Sequence, residues 1–180
     1  FCVGYNYNFN VTVNPTPDVV PSPTSNLICS GSSSGITLNT NITGVAVTYS
    51  WTITVSGSIN GALAGSGASI AQNLTNTGTS RGTVTYHITP AIGTCTGTPV
   101  DVVVTVEPRG QVNTESNLVY CNDGLVPTNG FTTNMSDGTV TYAWSNTNTA
   151  IGLIASGTGA LPEFTATNTT TAPISGTITV

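Results

Sequence analysis

Charge is nearly missing from this sequence. Of its 180 residues seven are acidic and two, Arg81 and Arg109, are basic; there is no lysine. An ordinary globular domain is about one-quarter charged. A nucleic-acid partner requires clustered Lys or Arg to displace counterions from phosphate, and a polybasic membrane-surface segment requires the same, so both are excluded. Histidine occurs once, at His87, and no Cys-x-x-Cys is present, which leaves no zinc-ligand spacing and no metal or other cofactor to expect. No apolar run approaches the ~20 residues of a membrane-spanning helix, and no signal peptide or lipidation motif is visible, so direct membrane insertion is not expected. Disorder is not expected either. Disordered chains join low hydropathy to high charge, whereas this one is 38% hydrophobic with a mean hydropathy of +0.17.

Small uncharged residues fill the space instead. Thr (35), Gly (20), Asn (18) and Ser (17) make up half the chain. The sequence also repeats itself. Cys2, Gly4, Val11, Val13 and Pro15 recur 93 positions later as Cys95, Gly97, Val104, Val106 and Pro108, and Thr48-Tyr49-x-Trp51 recurs as Thr141-Tyr142-x-Trp144. Cys29 recurs as Cys121 at a shift of 92, and Gly82-Thr83-Val84-Thr85 as Gly176-Thr177-Ile178-Thr179 at 94. One repeat is therefore about 93 residues. Its phase predicts residues 1–14 to be the last strand of a preceding repeat, 15–107 a complete repeat, and 108–180 a second repeat without its final strand. The chain then reads as a window on a longer array.

Within a repeat the apolar period is two. Val45, Val47, Tyr49, Trp51, Ile53 and Val55 alternate with small polar residues, as do Tyr5, Tyr7, Phe9, Val11 and Val13, then Val84, Tyr86 and Ile88, then Val100, Val102, Val104 and Val106. Period-two alternation describes half-buried strands. Turn pairs such as Asn60-Gly61, Asp123-Gly124, Asn129-Gly130 and Asp137-Gly138 separate the runs. Roughly seven short strands per repeat predict an all-β fold of tandem immunoglobulin-like antiparallel β-sandwiches. Trp51, Trp144, Tyr49, Tyr142 and Tyr86 lie on the apolar phase and are expected in the core. Thr suits the outward phase, being β-branched yet hydroxylated. Prolines at positions 15, 17, 21, 23, 90, 99 and 108 are expected at strand ends or along the first strand, where a missing N–H blunts an edge.

The repeat phase also allots the cysteines. Cys29 opens the complete repeat and Cys95 closes it, which predicts a Cys29–Cys95 disulfide and an oxidising, extracytoplasmic setting. Cys2 and Cys121 are then expected to pair with residues outside the window. Val13-Asn14-Pro15-Thr16-Pro17 and Val106-Glu107-Pro108-Arg109-Gly110 pass from a last strand almost directly into the next first strand, and proline stiffens both junctions.

Catalysis finds little support. His87 falls on the polar phase of its strand, no Gly-x-Ser-x-Gly elbow is present, and the acidic residues are scattered, so no catalytic residue and no enzyme activity are expected. The Asp-Gly pairs read as turns, without the alternating acidic ligands of a calcium loop. Five Asn-x-Ser/Thr sequons, at Asn10, Asn41, Asn73, Asn134 and Asn168, are as many as this composition yields by chance.

The combination Cys29-Ser30-Gly31, Thr48-Tyr49-Ser50-Trp51-Thr52, Gly82-Thr83-Val84-Thr85-Tyr86, Gly93-Thr94-Cys95-Thr96-Gly97-Thr98-Pro99 and Val102-Val103-Val104-Thr105-Val106-Glu107-Pro108 resembles the PKD-like repeats of large Bacteroidota cell-surface proteins. Those include gliding-motility adhesins exported by the type 9 secretion system. The second repeat departs at Cys121-Asn122-Asp123-Gly124, and the Gly-Asp-Gly turn of ordinary PKD domains is absent. The resemblance implies a structural or adhesive repeat on a stalk outside the outer membrane. Its partners would be neighbouring repeats of the same chain, outer-membrane secretion or motility machinery, or surface glycans. The alternative is a carbohydrate-binding accessory module of a secreted enzyme, which would need an exposed aromatic platform. Phe131 and Phe164 are the aromatic residues that the strand pattern leaves unplaced.

Overall fold

The computed structural model describes residues 3–180, so the expectation for Cys2 lies outside the described residues. The chain forms two compact units, Phe1–Pro108 and Arg109–Val180. In chain order the first holds β1 (Val20–Ser22), β2 (Ser25–Cys29), β3 (Ser32–Ser33), β4 (Ile36–Asn39), β5 (Thr48–Ser56), β6 (Ile59–Asn60), β7 (Gly65–Ser66), β8 (Ser69–Ile70), β9 (Asn73–Asn76), β10 (Gly82–Ile92), β11 (Cys95–Thr96) and β12 (Val100–Glu107). One layer runs β2-β12-β10-β5-β7, with β11 also on β10; the facing strands pair as β1-β4-β8 and β3-β9-β6. This is an all-β sandwich, antiparallel except where β2 lies parallel to β12.

The period-two pattern produces the layers. Along β10, Val84, Tyr86 and Ile88 are fully buried while Thr85, His87 and Thr89 face outward. Val102, Val104 and Val106 of β12 are buried beside them, and Ile36, Leu38, Ile70 and Leu74 arrive from the facing strands to close one core with Tyr49 and Trp51. Each such side chain contributes about 1.5–3 kcal/mol by leaving water. The two buried polar residues of this unit are satisfied. Ser34 Oγ donates to the Ile70 carbonyl at 2.8 Å and accepts from Gln72 N at 3.0 Å. Asn76 Nδ2 donates to the carbonyls of Ser80 (2.8 Å) and Val106 (2.9 Å).

The β2–β12 pair fixes where the chain enters and leaves. Cys29 stands beside Glu107, and Ser30 N donates to the Glu107 carbonyl at 3.1 Å, so this end of the sheet is where the chain exits. The Pro17 carbonyl lies against Gly97, whose N–H donates to Pro90 O at 2.9 Å at the other end of β10. The chain thus enters the sandwich at one end and leaves at the opposite one.

The second unit is smaller. It holds β13 (Leu125–Val126), β14 (Ala143–Asn146), a 3-10 turn (Thr149–Ile151), β15 (Ser156–Thr158), β16 (Phe164–Thr165) and β17 (Ile178–Thr179). β13 pairs with β16, and β14 lies between β15 and β17. Trp144, Leu153 and Leu161 form its buried centre, with Phe131, Ile151, Phe164 and Ile178 packed around them. Asn146 is buried here and bridges its own loop, Nδ2 donating to Leu153 O at 2.9 Å and Oδ1 accepting from Asn148 N at 3.0 Å.

Residues 3–13 join no sheet, and their apolar side chains are exposed. Three expectations are corrected. The strand expected from Val45 begins at Thr48. Tyr142 is half-buried, its ring tilted 48° against Phe131 with centroids 5.7 Å apart, outside the Trp144 centre. Pro90 sits inside β10, fully buried, where that strand passes from β12 to β11 and one N–H can be spared.

Glycines reveal the repeat in three dimensions. Gly61 (φ 94°) and Gly152 (φ 96°) both occupy the left-handed region with a backbone carbonyl, of Asn73 and Thr165 respectively, where a Cβ would stand. Gly65 and Gly157 pair with Trp51 and Trp144 on the neighbouring strand and lie under the indole; a Cβ at Gly65 would meet Trp51 Cζ2 at 2.9 Å, and one at Gly157 would be closer still. Gly157→Ala is therefore expected to destabilise the second unit by about 1–3 kcal/mol through overpacking. Urea unfolding followed by Trp144 fluorescence in a Trp51→Phe background checks this, and an unchanged midpoint would contradict the contact.

Candidate functional site

The outward face of the large sheet carries one ordered row of functional groups. β5, β10 and β12 are neighbours, with His87 opposite Thr52 on one side and Asp101 on the other. His87 Nδ1 lies 2.7 Å from Asp101 Oδ1, and His87 Nε2 lies 2.9 Å from Thr54 Oγ1. Hydroxyl, imidazole and carboxylate therefore stand in series, the order in which hydrolases arrange nucleophile, base and orienting group. The surroundings are those of a sheet surface, however. His87 and Asp101 are 37% and 58% exposed, and the same face carries Thr52, Thr85, Thr89 and Thr105. Water competes for each bond, and the row ties three strands together at about 0.5–1.5 kcal/mol per hydrogen bond. The sequence placed His87 on the outward phase correctly but missed its partners. Cross-strand register depends on the length of the Gly93–Pro99 connection, and a register-aware pairing of that hairpin would have brought Asp101 beside His87.

The remaining charges of the first unit are also engaged. At the exit end Arg81 Nη2 and Nε reach Glu107 Oε1 at 2.7 and 2.8 Å, a solvated pair of small energetic weight. Near where the chain enters, Asp18 accepts from the Thr40 hydroxyl, from Asn41 Nδ2 at 2.8 Å and from Asn41 N at 3.2 Å. The Thr40 hydrogen bond, outweighing the opposing effect of desolvation and aided by the Asn41 contacts, holds the Asp18 carboxyl below its ordinary value of 3.8. Burial raises the Tyr49 phenol, and the Asp18 charge raises it further.

The cysteines are not arranged as expected. Cys29, Cys95 and Cys121 are exposed free thiols. Cys29 stands beside Glu107 at the exit end, whereas Cys95 pairs with Ile92 at the opposite end of β10. About ten residues of strand separate the two levels, ~30 Å at 3.3 Å per residue, and a disulfide needs Cα atoms within about 7 Å. The Cys29–Cys95 link is therefore corrected. The repeat phase identified which cysteines open and close the module, but opening and closing segments reach opposite ends of the sheet. Among the described residues no cluster of three or more His, Cys, Asp or Glu could hold a metal ion.

The unplaced aromatics turn inward: Phe131 and Phe164 both pack against the Trp144 centre. A shallow depression lined by Val47, Tyr49, Ser66, Gly67 and Ala68 accompanies the β5–β7 edge and brings no charged group with it. No helix among the described residues is long and apolar enough to cross a membrane.

Two measurements follow from these placements. Alkylation without reductant, followed by peptide mass mapping, is expected to recover Cys29 and Cys95 as separately alkylated thiols; a linked Cys29–Cys95 peptide would contradict the structure. A carboxyl with a lowered native pKa stabilises the fold above its ordinary value, and that contribution disappears as the pH falls through the native value. Asp18→Asn should therefore lower the urea midpoint at neutral pH, by an amount that shrinks as the pH falls below the ordinary carboxyl value. A loss that does not change with pH would point to the lost hydrogen bonds alone.

No curated protein and no solved structure matches the chain. Residues 26–110, which run from β2 through β12 and the Pro108 junction, match the family model of the PKD-like domain, and it is to that family that the sandwich of the first unit is similar.

Proposed function

We propose that this chain is a structural and adhesive repeat segment of a long secreted cell-surface protein, the stalk of an adhesin outside the outer membrane, of the kind used in gliding motility and exported by type 9 secretion. The observation that carries this reading is the parallel pairing of β2 with β12 over five residue pairs, Val103–Glu107 against Ser25–Cys29. The first strand of the large sheet and its last strand lie side by side, while the chain enters and leaves at opposite ends. Tension on such a module loads several backbone hydrogen bonds in shear at once instead of unzipping them singly. A stalk needs that property, and a soluble binding module does not. The PKD-like match over residues 26–110 supports an extracellular, non-catalytic role. Partners on this reading are neighbouring repeats, surface glycans or the outer-membrane machinery that exports the chain.

The carbohydrate-binding alternative is weakened by the inward packing of Phe131 and Phe164, which removes its platform from the second unit. Force spectroscopy on the chain tests the stalk reading. The first unit is expected to open in one discrete event releasing roughly 30 nm of contour, the extended length of about 93 residues. A gradual, low-force extension without such an event would count against a load-bearing role.

A further inference from the structure

On one side the large sheet of the first unit ends with β5 and the two-residue β7, and β5 is longer than its neighbour. β7 covers it at Ser50 and Trp51, and Gly67 N donates to Tyr49 O at 3.1 Å just before them. From Thr52 to Ser56 that side of β5 has no strand among the described residues, and Thr52, Thr54, Val55 and Ser56 are exposed. Backbone groups alternate in direction along an antiparallel strand. Since Tyr49 turns its carbonyl towards β7, Ile53 and Val55 turn their N–H and C=O groups to the same open side, while Thr52, Thr54 and Ser56 turn theirs to β10. Natural sheets blunt such an edge with charge, proline or a bulge. This one has none of them. Residues 19–80 hold no charged side chain, β5 holds no proline, and it pairs with β10 residue for residue from Thr48–Ala91 to Ser56–Thr83. The second unit does not share the feature: at the 93-residue shift Ile53 and Val55 become Asn146 and Asn148, whose side chains bond the loop after β14.

We propose that this edge pairs with the same edge of a second copy, β5 against β5, antiparallel about a two-fold axis through Thr54. Which groups are free sets the register. Ile53 of one copy stands opposite Val55 of the other, twice over, and the hydrogen bonds of these two pairs use the N–H and C=O groups that β10 leaves unused. A shift of one residue would set them against groups already bonded to β10, and a shift of two would keep only one pair. The length of the opening selects the occupant. It runs from β7 at Trp51 to Gly57, whose left-handed φ of 84° turns the chain out of the sheet. A partner β5 lies Thr52–Ser56 against Ser56–Thr52 and turns away at its own Gly57 before meeting β7, where a longer strand would collide. Neither edge brings a charge to desolvate, and Val55, 39% exposed, gains cover from the partner's half-buried Ile53. Two pairs of residues are far less than the ~1,200–2,000 Å² of a stable interface, so the single contact is weak. The same patch serves both copies, which makes the contact isologous. It leaves clear both ends of the module, where the chain enters and leaves, and so suits two stalks meeting side by side; that last step rests on the stalk reading, the contact itself does not.

Amide resonances of the isotope-labelled 180-residue chain test the contact. Those of Ile53 and Val55 are expected to move progressively over about a hundredfold rise in concentration, since association follows mass action, while those of Asn146 and Asn148 stay still. Thr54 lies on the two-fold axis, where opposed Cβ atoms stand about 4.5–5.5 Å apart and like charges repel. Thr54→Lys should therefore abolish the movement. Thr54→Val loses the same His87 hydrogen bond without adding charge, and it should keep the movement. Both change an exposed position, and unchanged resonances of Val84, Tyr86 and Val104 report that the unit is folded. Ile53 and Val55 resonances that do not respond to concentration would overturn the proposal, as would movement that persists in Thr54→Lys or disappears equally in Thr54→Val. Concentration-dependent shifts along Ser25–Cys29 together with β5 would mean a β5-to-β2 contact and would overturn the two-fold pairing.

Discussion

The sandwich depends on one strand being held from both sides. β12 lies between β10 and β2, antiparallel to the first and parallel to the second, and its three inward valines have no solvent contact. Through β10 it fixes the row Thr54–His87–Asp101; through β2 it fixes where the chain leaves. Asn76, reaching the Val106 carbonyl from the facing strands, locks the two layers together at the same point. Displacing β10 or β2, or losing the Asn76 amide, would leave backbone groups of β12 without partners, and a buried unpaired N–H or C=O costs about 1–3 kcal/mol. The short strands of the first unit become a cooperative module because this one cannot be removed alone.

The composition makes sense in that setting. A strand with both edges paired and one face buried needs β-branched residues on both phases, and Thr meets the need on the wet phase without charge. The few charged groups described in the first unit are engaged close by: Asp18 by Thr40 and Asn41, Arg81 by Glu107, and His87 by Asp101 and Thr54. The row on the large sheet shows how easily a hydrolase-like series arises on a polar face. Its groups are in line, yet they sit on an open surface where water reaches each of them.

Much of this was legible in the sequence. Period-two alternation named the inward residues of β5, β10 and β12, and the 93-residue shift placed Trp51 and Trp144 at matching points. What was not legible depended on which strand lies beside which. Cys29 and Cys95 are first and last in the module, but chain order says nothing about which end of a sheet each reaches. Asp101 meets His87 only because a hairpin of a certain length sets the register. Segment 3–13 shows the converse: its alternation is as clean as that of β12, and alternation by itself forms no strand when no neighbour supplies hydrogen bonds. Tyr142 lies on the apolar phase and still ends half-buried, because the second unit's centre is too small to cover it.

Stability in most proteins drifts with the salt around them, since long-range charge interactions fade beyond a Debye length of about 10 Å at 0.1 M. The ion pair and the carboxylate described in the first unit act over contact distances of 2.7–3.2 Å, and the remaining outward face is hydroxyl and amide. Such a surface offers dissolved salt few charges to screen, and the first unit is held chiefly by apolar burial and neutral hydrogen bonds, over which a Debye length has no hold.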